Sequence, residues 1–123
     1  TMFNFLSGGR GTGPKLTPHE IVEKATKGEM TVIDIRDGSE VNTTGKAEGA
    51  LTIPMVALKL QADRNGPDYN PKIDPSKPIA LYCASGARSG MAVRMMKALG
   101  YEEVHNLGGL GHWHMGGGKI VRA

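Results

Sequence analysis

One cysteine, Cys83, stands alone in a chain of 123 residues, so no disulfide can form within the chain and packing alone must hold the fold. Long apolar runs are missing too. No stretch approaches the about 20 apolar residues of a membrane-spanning helix, and Met2 to Pro14 lacks the apolar core of a signal peptide. The expected compartment is therefore the cytoplasm, with no membrane partner. Charge of one sign is scarce: 15 Lys and Arg against 12 Asp and Glu give a net +3. That bias helps attract a small anion, but the clustered basic residues of a nucleic-acid binder are absent, so nucleic acid is not an expected partner. There is also no internal repeat.

What is present suits one domain. The composition, 39% hydrophobic and 22% charged, excludes a wholly disordered chain, and the length matches a single core. Glycine is the residue in excess, with 18 copies gathered mainly in Gly8 to Gly13 and Gly108 to Gly118. Without a fixed period, they read as loops. Residues 1–15, which include SGGRGTGPK, are expected to be a flexible arm, and residues 16–123 the folded domain.

Thr17-Pro18-His19-Glu20 carries a capping box with proline at the first helical position, and predicts a helix from Pro18 to Lys27 closed by Gly28. Thr31 to Ile35 is a short β-branched run that suits a buried strand, followed by a loop. Ala50 to Ile53 reads as a second strand, and Met55 to Ala62 as a helix spaced through Val56, Leu58 and Leu60. Proline and glycine punctuate a surface loop from Asn65 to Lys77. Pro78 to Tyr82 is the most apolar strand, Ser89 to Leu99 a helix with Ala92, Met95, Met96 and Leu99 on one face, and Glu103 to Asn106 a last short strand. Trp113 is expected to plug the core or cover the pocket edge within a glycine-rich end. Helices alternating with short strands imply an α/β domain, a short central parallel sheet with helices on both faces, whose ligands bind beyond the carboxyl ends of the strands.

Cys83 lies at such an end. The segment Cys83-Ala84-Ser85-Gly86-Ala87-Arg88-Ser89 joins a buried strand to a helix through small residues, so the backbone can curl and turn successive amides inward. Those amides and the positive end of the helix form a cradle for an anion. The same field favours a thiolate and makes Cys83 the candidate nucleophile. Ala84, Ser85, Gly86, Ala87, Arg88 and Ser89 are the candidate substrate-binding residues, Arg88 adding a fixed charge and paired donors. The bland alternative, a buried small hydrophobe, does not explain why a glycine loop, an arginine and a helix start converge on one thiol.

These residues resemble the rhodanese-like superfamily, specifically its single-domain sulfurtransferases, over about Leu16 to Ile120. Val32-Ile33-Asp34-Ile35-Arg36 resembles the family's strand ending in Asp-x-Arg, and Glu40 falls where an acidic residue commonly follows. Gly45 to Pro54 resembles the next element, with Lys46 and Glu48 in place of the usual His and Pro, and Val41 in place of a common aromatic. The loop CASGARS fits fully, and Gly100-Tyr101, Val104, Leu107-Gly108-Gly109 and Trp113 follow the closing pattern. The resemblance implies a rhodanese-like fold in which Cys83 takes a sulfane sulfur from a small anionic donor such as thiosulfate, holds it as a persulfide, and passes it to a thiol or protein acceptor, with cyanide as the test acceptor. No metal or organic cofactor is implied, the covalent persulfide being the only intermediate.

Two rival functions belong to the same scaffold. Relatives with phosphatase or arsenate-reductase activity typically have one more residue between cysteine and arginine, whereas four separate Cys83 from Arg88 here. The other rival is a non-catalytic binding module or sulfur carrier, whose inactive versions usually lack the cysteine. Asp34 and Arg36 are expected to support the catalytic loop without touching substrate, with Glu40 as partner to Arg36. His112 and His114 form a His-x-His pair that suggests a metal site only if a flexible glycine-rich loop fixes its geometry. Met91, Met95 and Met96 read as packing residues, and Arg94 and Lys97 as a solvated face.

Overall fold

The computed structural model describes residues 15–123. Of the expected arm, only Lys15 falls within them; it is exposed and in no helix or strand. Helix α1 (Pro18–Thr26) begins as its sequence demands: the Thr17 hydroxyl accepts from the Glu20 amide at 3.2 Å while the Glu20 carboxylate accepts from the Thr17 amide at 2.8 Å. Strand β1 (Thr31–Asp34) follows. The stretch expected as a loop then forms a second helix, α2 (Gly38–Thr44), opened by a capping box between Asp37 and Glu40. It buries only Val41, so it carries almost no apolar periodicity and its cap is its main local signal.

The two-residue strands β2 (Lys46–Ala47) and β3 (Leu51–Thr52) precede helix α3 (Met55–Ala62). On α3, Leu58 and Ala62 are buried, but Val56 and Leu60 point to solvent, contrary to the expected stripe. Their side chains lie on the outer flank because the helix rests on the sheet through the positions of Leu58 and Ala62, four residues apart. The proline-punctuated loop leads to β4 (Ile79–Cys83), every residue of which is buried. Helix α4 (Ala87–Ala98), strand β5 (Val104–Gly109), helix α5 (Leu110–Met115) and strand β6 (Ile120–Val121) complete the order. On α4 the exposed Met91 corrects its reading as a packing residue, whereas Met96 is buried and Met95 packs against the core.

The four strands of the main sheet are parallel in the order β3-β1-β4-β5, and β2 pairs with β6 as a small antiparallel ribbon. The alternation of side chains across a strand divides the core in two. Ile79, Leu81 and Cys83 of β4 join Ile33, Ile35, Leu58, Ala92 and Met96 under α3 and α4. Ala80 and Tyr82 join Ile21, Val32, Leu107 and Trp113 under α1 and α5. Trp113 is thus a core plug, its indole N–H donating to the Lys119 carbonyl at 2.7 Å. Neighbours in sequence, Tyr82 and Cys83, serve opposite faces of the sheet.

Candidate active site

Cys83 ends β4 on the α3/α4 face, fully buried. Only Ala84, Ser85 and Gly86 separate it from α4, so Arg88 and Ser89 stand in the first turn of that helix instead of in a longer loop. The turn depends on Gly86, whose φ of +106° lies in the left-handed region that strains a side chain. This conformation aims the Gly86 amide back at Cys83, and its N–H donates to Sγ at 3.1 Å. Ser89, also fully buried, places its hydroxyl oxygen 3.5 Å from the same sulfur. Burial works against ionisation of the Cys83 thiol, but contacts with the Ser89 hydroxyl and amide and with the Gly86 and Ser85 amides outweigh it, and the pKa is lowered to about 7. Near neutral pH a large share of Cys83 is therefore the nucleophilic thiolate.

β5 supports the turn from its other side. There is no room for a side chain at Gly109, where a built Cβ would collide with the Ala84 carbonyl oxygen. Asn106 of β5 reaches the turn with both ends of its amide: Nδ2 donates to the Gly86 carbonyl at 3.0 Å, and Oδ1 accepts from the Ser89 hydroxyl at 2.6 Å and from the Gly108 amide at 2.9 Å. Nothing local in the sequence marks Asn106 as a support of the turn, because the turn residues it holds, Ser89 and Gly86, lie 17 and 20 residues away. Beside this support lies a cleft of about 380 Å³ whose walls include Ser85, Gly86, Asn106, Gly108, His112 and Lys15.

Arg88 is paired, not free. Its two terminal nitrogens donate to the two carboxylate oxygens of Glu40, both at 2.9 Å, joining the first turn of α4 to the first turn of α2. Hydrogen bonding to Arg88, helped by the Asp37 cap, holds the Glu40 carboxyl down at about 2. The expected Glu40–Arg36 pairing is therefore replaced: Glu40 takes Arg88, and Arg36 takes Asp34.

The Asp34–Arg36 pair is buried, at 2.7 Å with side chains 0% and 4% exposed. Asp34 also accepts from the Tyr82 hydroxyl at 2.7 Å, while Arg36 donates to the Thr44 hydroxyl at 2.7 Å and the Gly45 carbonyl at 2.8 Å. The Ala47 amide closes the network on the Tyr82 oxygen at 3.0 Å. Because Tyr82 and Cys83 face opposite ways, this cluster grips the α2–β2 connection and the strand beneath the nucleophile, and makes no hydrogen bond to Ala84 through Ser89. Of the paired histidines, His112 accepts the Gly109 amide at Nδ1, 3.0 Å away, and His114 is exposed. Among the described residues, no three or more His, Cys, Asp or Glu side chains are grouped to hold a metal ion, and no helix is long and apolar enough to cross a membrane.

Comparison with known proteins agrees with this architecture. The family model described as a rhodanese-like domain matches residues 17–115. The uncharacterized protein YqhL of Bacillus subtilis is 36% identical over 90 residues, covering 72% of this chain and 62% of that protein. Thiosulfate sulfurtransferase PspE of Escherichia coli is 33% identical over 63 residues, covering 51% of this chain and 55% of that one. The chain thus spans less than two thirds of the length of either relative. A solved structure from Rhodopseudomonas palustris, of a protein of unknown function described as a possible tyrosine phosphatase, superposes with a TM-score of 0.76 at 30% identity, covering 87% of this chain and 83% of that one.

Proposed function

The chain belongs to the rhodanese-like family, and on that premise we propose that it is a sulfurtransferase that carries a sulfane sulfur on Cys83. The observation that supports this most is the Cys83 sulfur at the floor of a three-residue turn, where it accepts the Gly86 amide at 3.1 Å. With thiosulfate as donor, the thiolate attacks the outer sulfur and a new S–S bond forms at Cys83. The bond between the two thiosulfate sulfurs breaks, and sulfite leaves with its electron pair. The terminal persulfide sulfur keeps the negative charge, and the amides of Ser85, Gly86 and Ser89 are the groups suited to stabilise it. In the second half-reaction a nucleophile, cyanide in the assay and a thiol or protein in the cell, takes that sulfur and returns Cys83 as thiolate. No step calls for a metal or organic cofactor. The likeness to a thiosulfate sulfurtransferase over part of the chain supports thiosulfate as the first donor to try.

Intact mass spectrometry after incubation with thiosulfate tests the reading, beside Cys83→Ser and a reduced duplicate. A reducible gain of one sulfur atom in the wild type alone is the expected result. No gain with thiosulfate, or with a polysulfide donor, overturns it.

One observation favours a second reading. The Rhodopseudomonas neighbour is described as a possible tyrosine phosphatase, and a thiolate beside an arginine also suits phosphoryl transfer. The four-residue spacing between Cys83 and Arg88 argues for a smaller cargo than phosphate. Cys83-dependent hydrolysis of p-nitrophenyl phosphate without persulfide formation would favour the phosphatase.

A further inference from the structure

The Ser89 hydroxyl has two neighbours and one proton. Its oxygen lies 2.6 Å from Asn106 Oδ1 and 3.5 Å from Cys83 Sγ. The orientation of the Asn106 amide is fixed by its other partners, because the Gly108 N–H can only donate and the Gly86 carbonyl can only accept. The end of Asn106 that meets Ser89 is therefore an acceptor, and at 2.6 Å it takes the hydroxyl proton. The proton is thus shared unequally: the short bond goes to Asn106, and Cys83, 3.5 Å away, receives only part of the donation that would stabilise its thiolate.

We propose that Asn106 is a positioning residue which competes with the Cys83 sulfur for the Ser89 hydroxyl proton and so restrains the reactivity of the resting thiol. The proposal rests on Cys83 as the reacting group. Charge near the sulfur comes from several elements. Arg88 of α4 is countered by Glu40 of α2, with Asp37 beside them. At the end of β1, Asp34 pairs with Arg36 on the opposite face of the sheet, and at the start of α5 the His112 ring accepts the Gly109 amide. None of these groups bonds to Ser89 or Asn106, so the competition is separable from them.

The test is the pH profile of iodoacetamide alkylation, read by intact mass, from about pH 5 to about pH 9. Cys83 is the sole cysteine, so each adduct reports on it alone. The proteins are the wild type, Asn106→Ala, Asn106→Leu, which fills the amide's volume without an acceptor, Ser89→Ala, and the double variant Ser89→Ala/Asn106→Ala. Removing the acceptor frees the hydroxyl to turn to the thiolate. The Asn106 variants are expected to shift the midpoint of the profile down and to react about threefold faster near pH 6, with the high-pH plateau unchanged. In the Ser89→Ala background, Asn106→Ala is expected to change nothing. An unchanged midpoint in a folded Asn106 variant overturns the proposal. So does a gain that persists without Ser89, or one confined to the plateau, either of which reports a loosened turn. If one Asn106 variant fails to fold, the other carries the comparison. Alkylation needs no sulfur donor, so failure of persulfide formation and failure of this proposal remain distinguishable.

Discussion

Two arginine–carboxylate pairs flank the central strand, and they differ in almost everything except chemistry. Asp34–Arg36 is sealed beneath the sheet with side chains 0% and 4% exposed; Glu40–Arg88 sits at the mouth with 31% and 39% exposed. The first lies two residues apart and is tied to Tyr82, Thr44 and Gly45, so each guanidinium nitrogen has a partner. The second joins two helix starts 48 residues apart, next to the thiol, and water reaches it. A buried pair becomes costly once one partner is removed, whereas an exposed pair contributes little to folding and is free to serve the chemistry. One pair holds the fold, and the other sets the electrostatics at the entrance.

Substitutions separate the two roles. Asp34→Asn leaves the Arg36 guanidinium buried without a counter-charge. It is expected to lower unfolding stability by about 3–5 kcal/mol, measured by urea denaturation, while molecules that remain folded still form the persulfide. Gly109→Ala sharpens the contrast from the active face. The new methyl meets the Ala84 carbonyl, and displacement of the turn is expected to slow sulfur transfer about 10²-fold while lowering stability by about 1–3 kcal/mol, read by single-turnover kinetics beside thermal unfolding. Glu40→Gln releases Arg88 and is expected to lower the half-saturating thiosulfate concentration by a few-fold, with the unfolding midpoint almost unmoved.

The remaining effect is a pH dependence. Because folding lowers the Cys83 pKa from 9.0 to about 7, the folded state holds the thiolate over a range where the unfolded chain is still protonated. Relative to Cys83→Ser, the wild type is expected to gain stability as pH rises from about 7 to about 9, and to show no such gain below that window. Parallel melts of the two proteins across that range check the sign.

The same contrast explains how far the sequence could be read. Elements with a strong local signal, the Thr17 capping box and the continuous apolar run of β4, appear where they are expected. Helix α2 escaped because GSEVNTT is poor in helix formers and buries one residue, although Asp37 and Glu40 spelled out its cap. Helix α5 escaped because its glycine-rich setting reads as loop, and a single Trp113 gives no period. Strands β2 and β6 span two residues each and exist through their mutual pairing. At the site, the Cys83 turn was legible because its residues are contiguous. Glu40 was visible as an acidic position, but its partner was not: Arg36 is nearer in sequence, yet Asp34 had already claimed it. Asn106 left no local trace at all.

Full burial of the only cysteine also decides what this chain will not do to itself. A disulfide between two copies requires Cα atoms within about 7 Å, and Cys83 at 0% exposure sits below the surface of its own domain. Two folded copies cannot bring such recessed sulfurs together. The domain can thus keep a reactive thiol without a second cysteine to protect it, and without the covalent dimers that an exposed lone thiol invites under oxidising conditions.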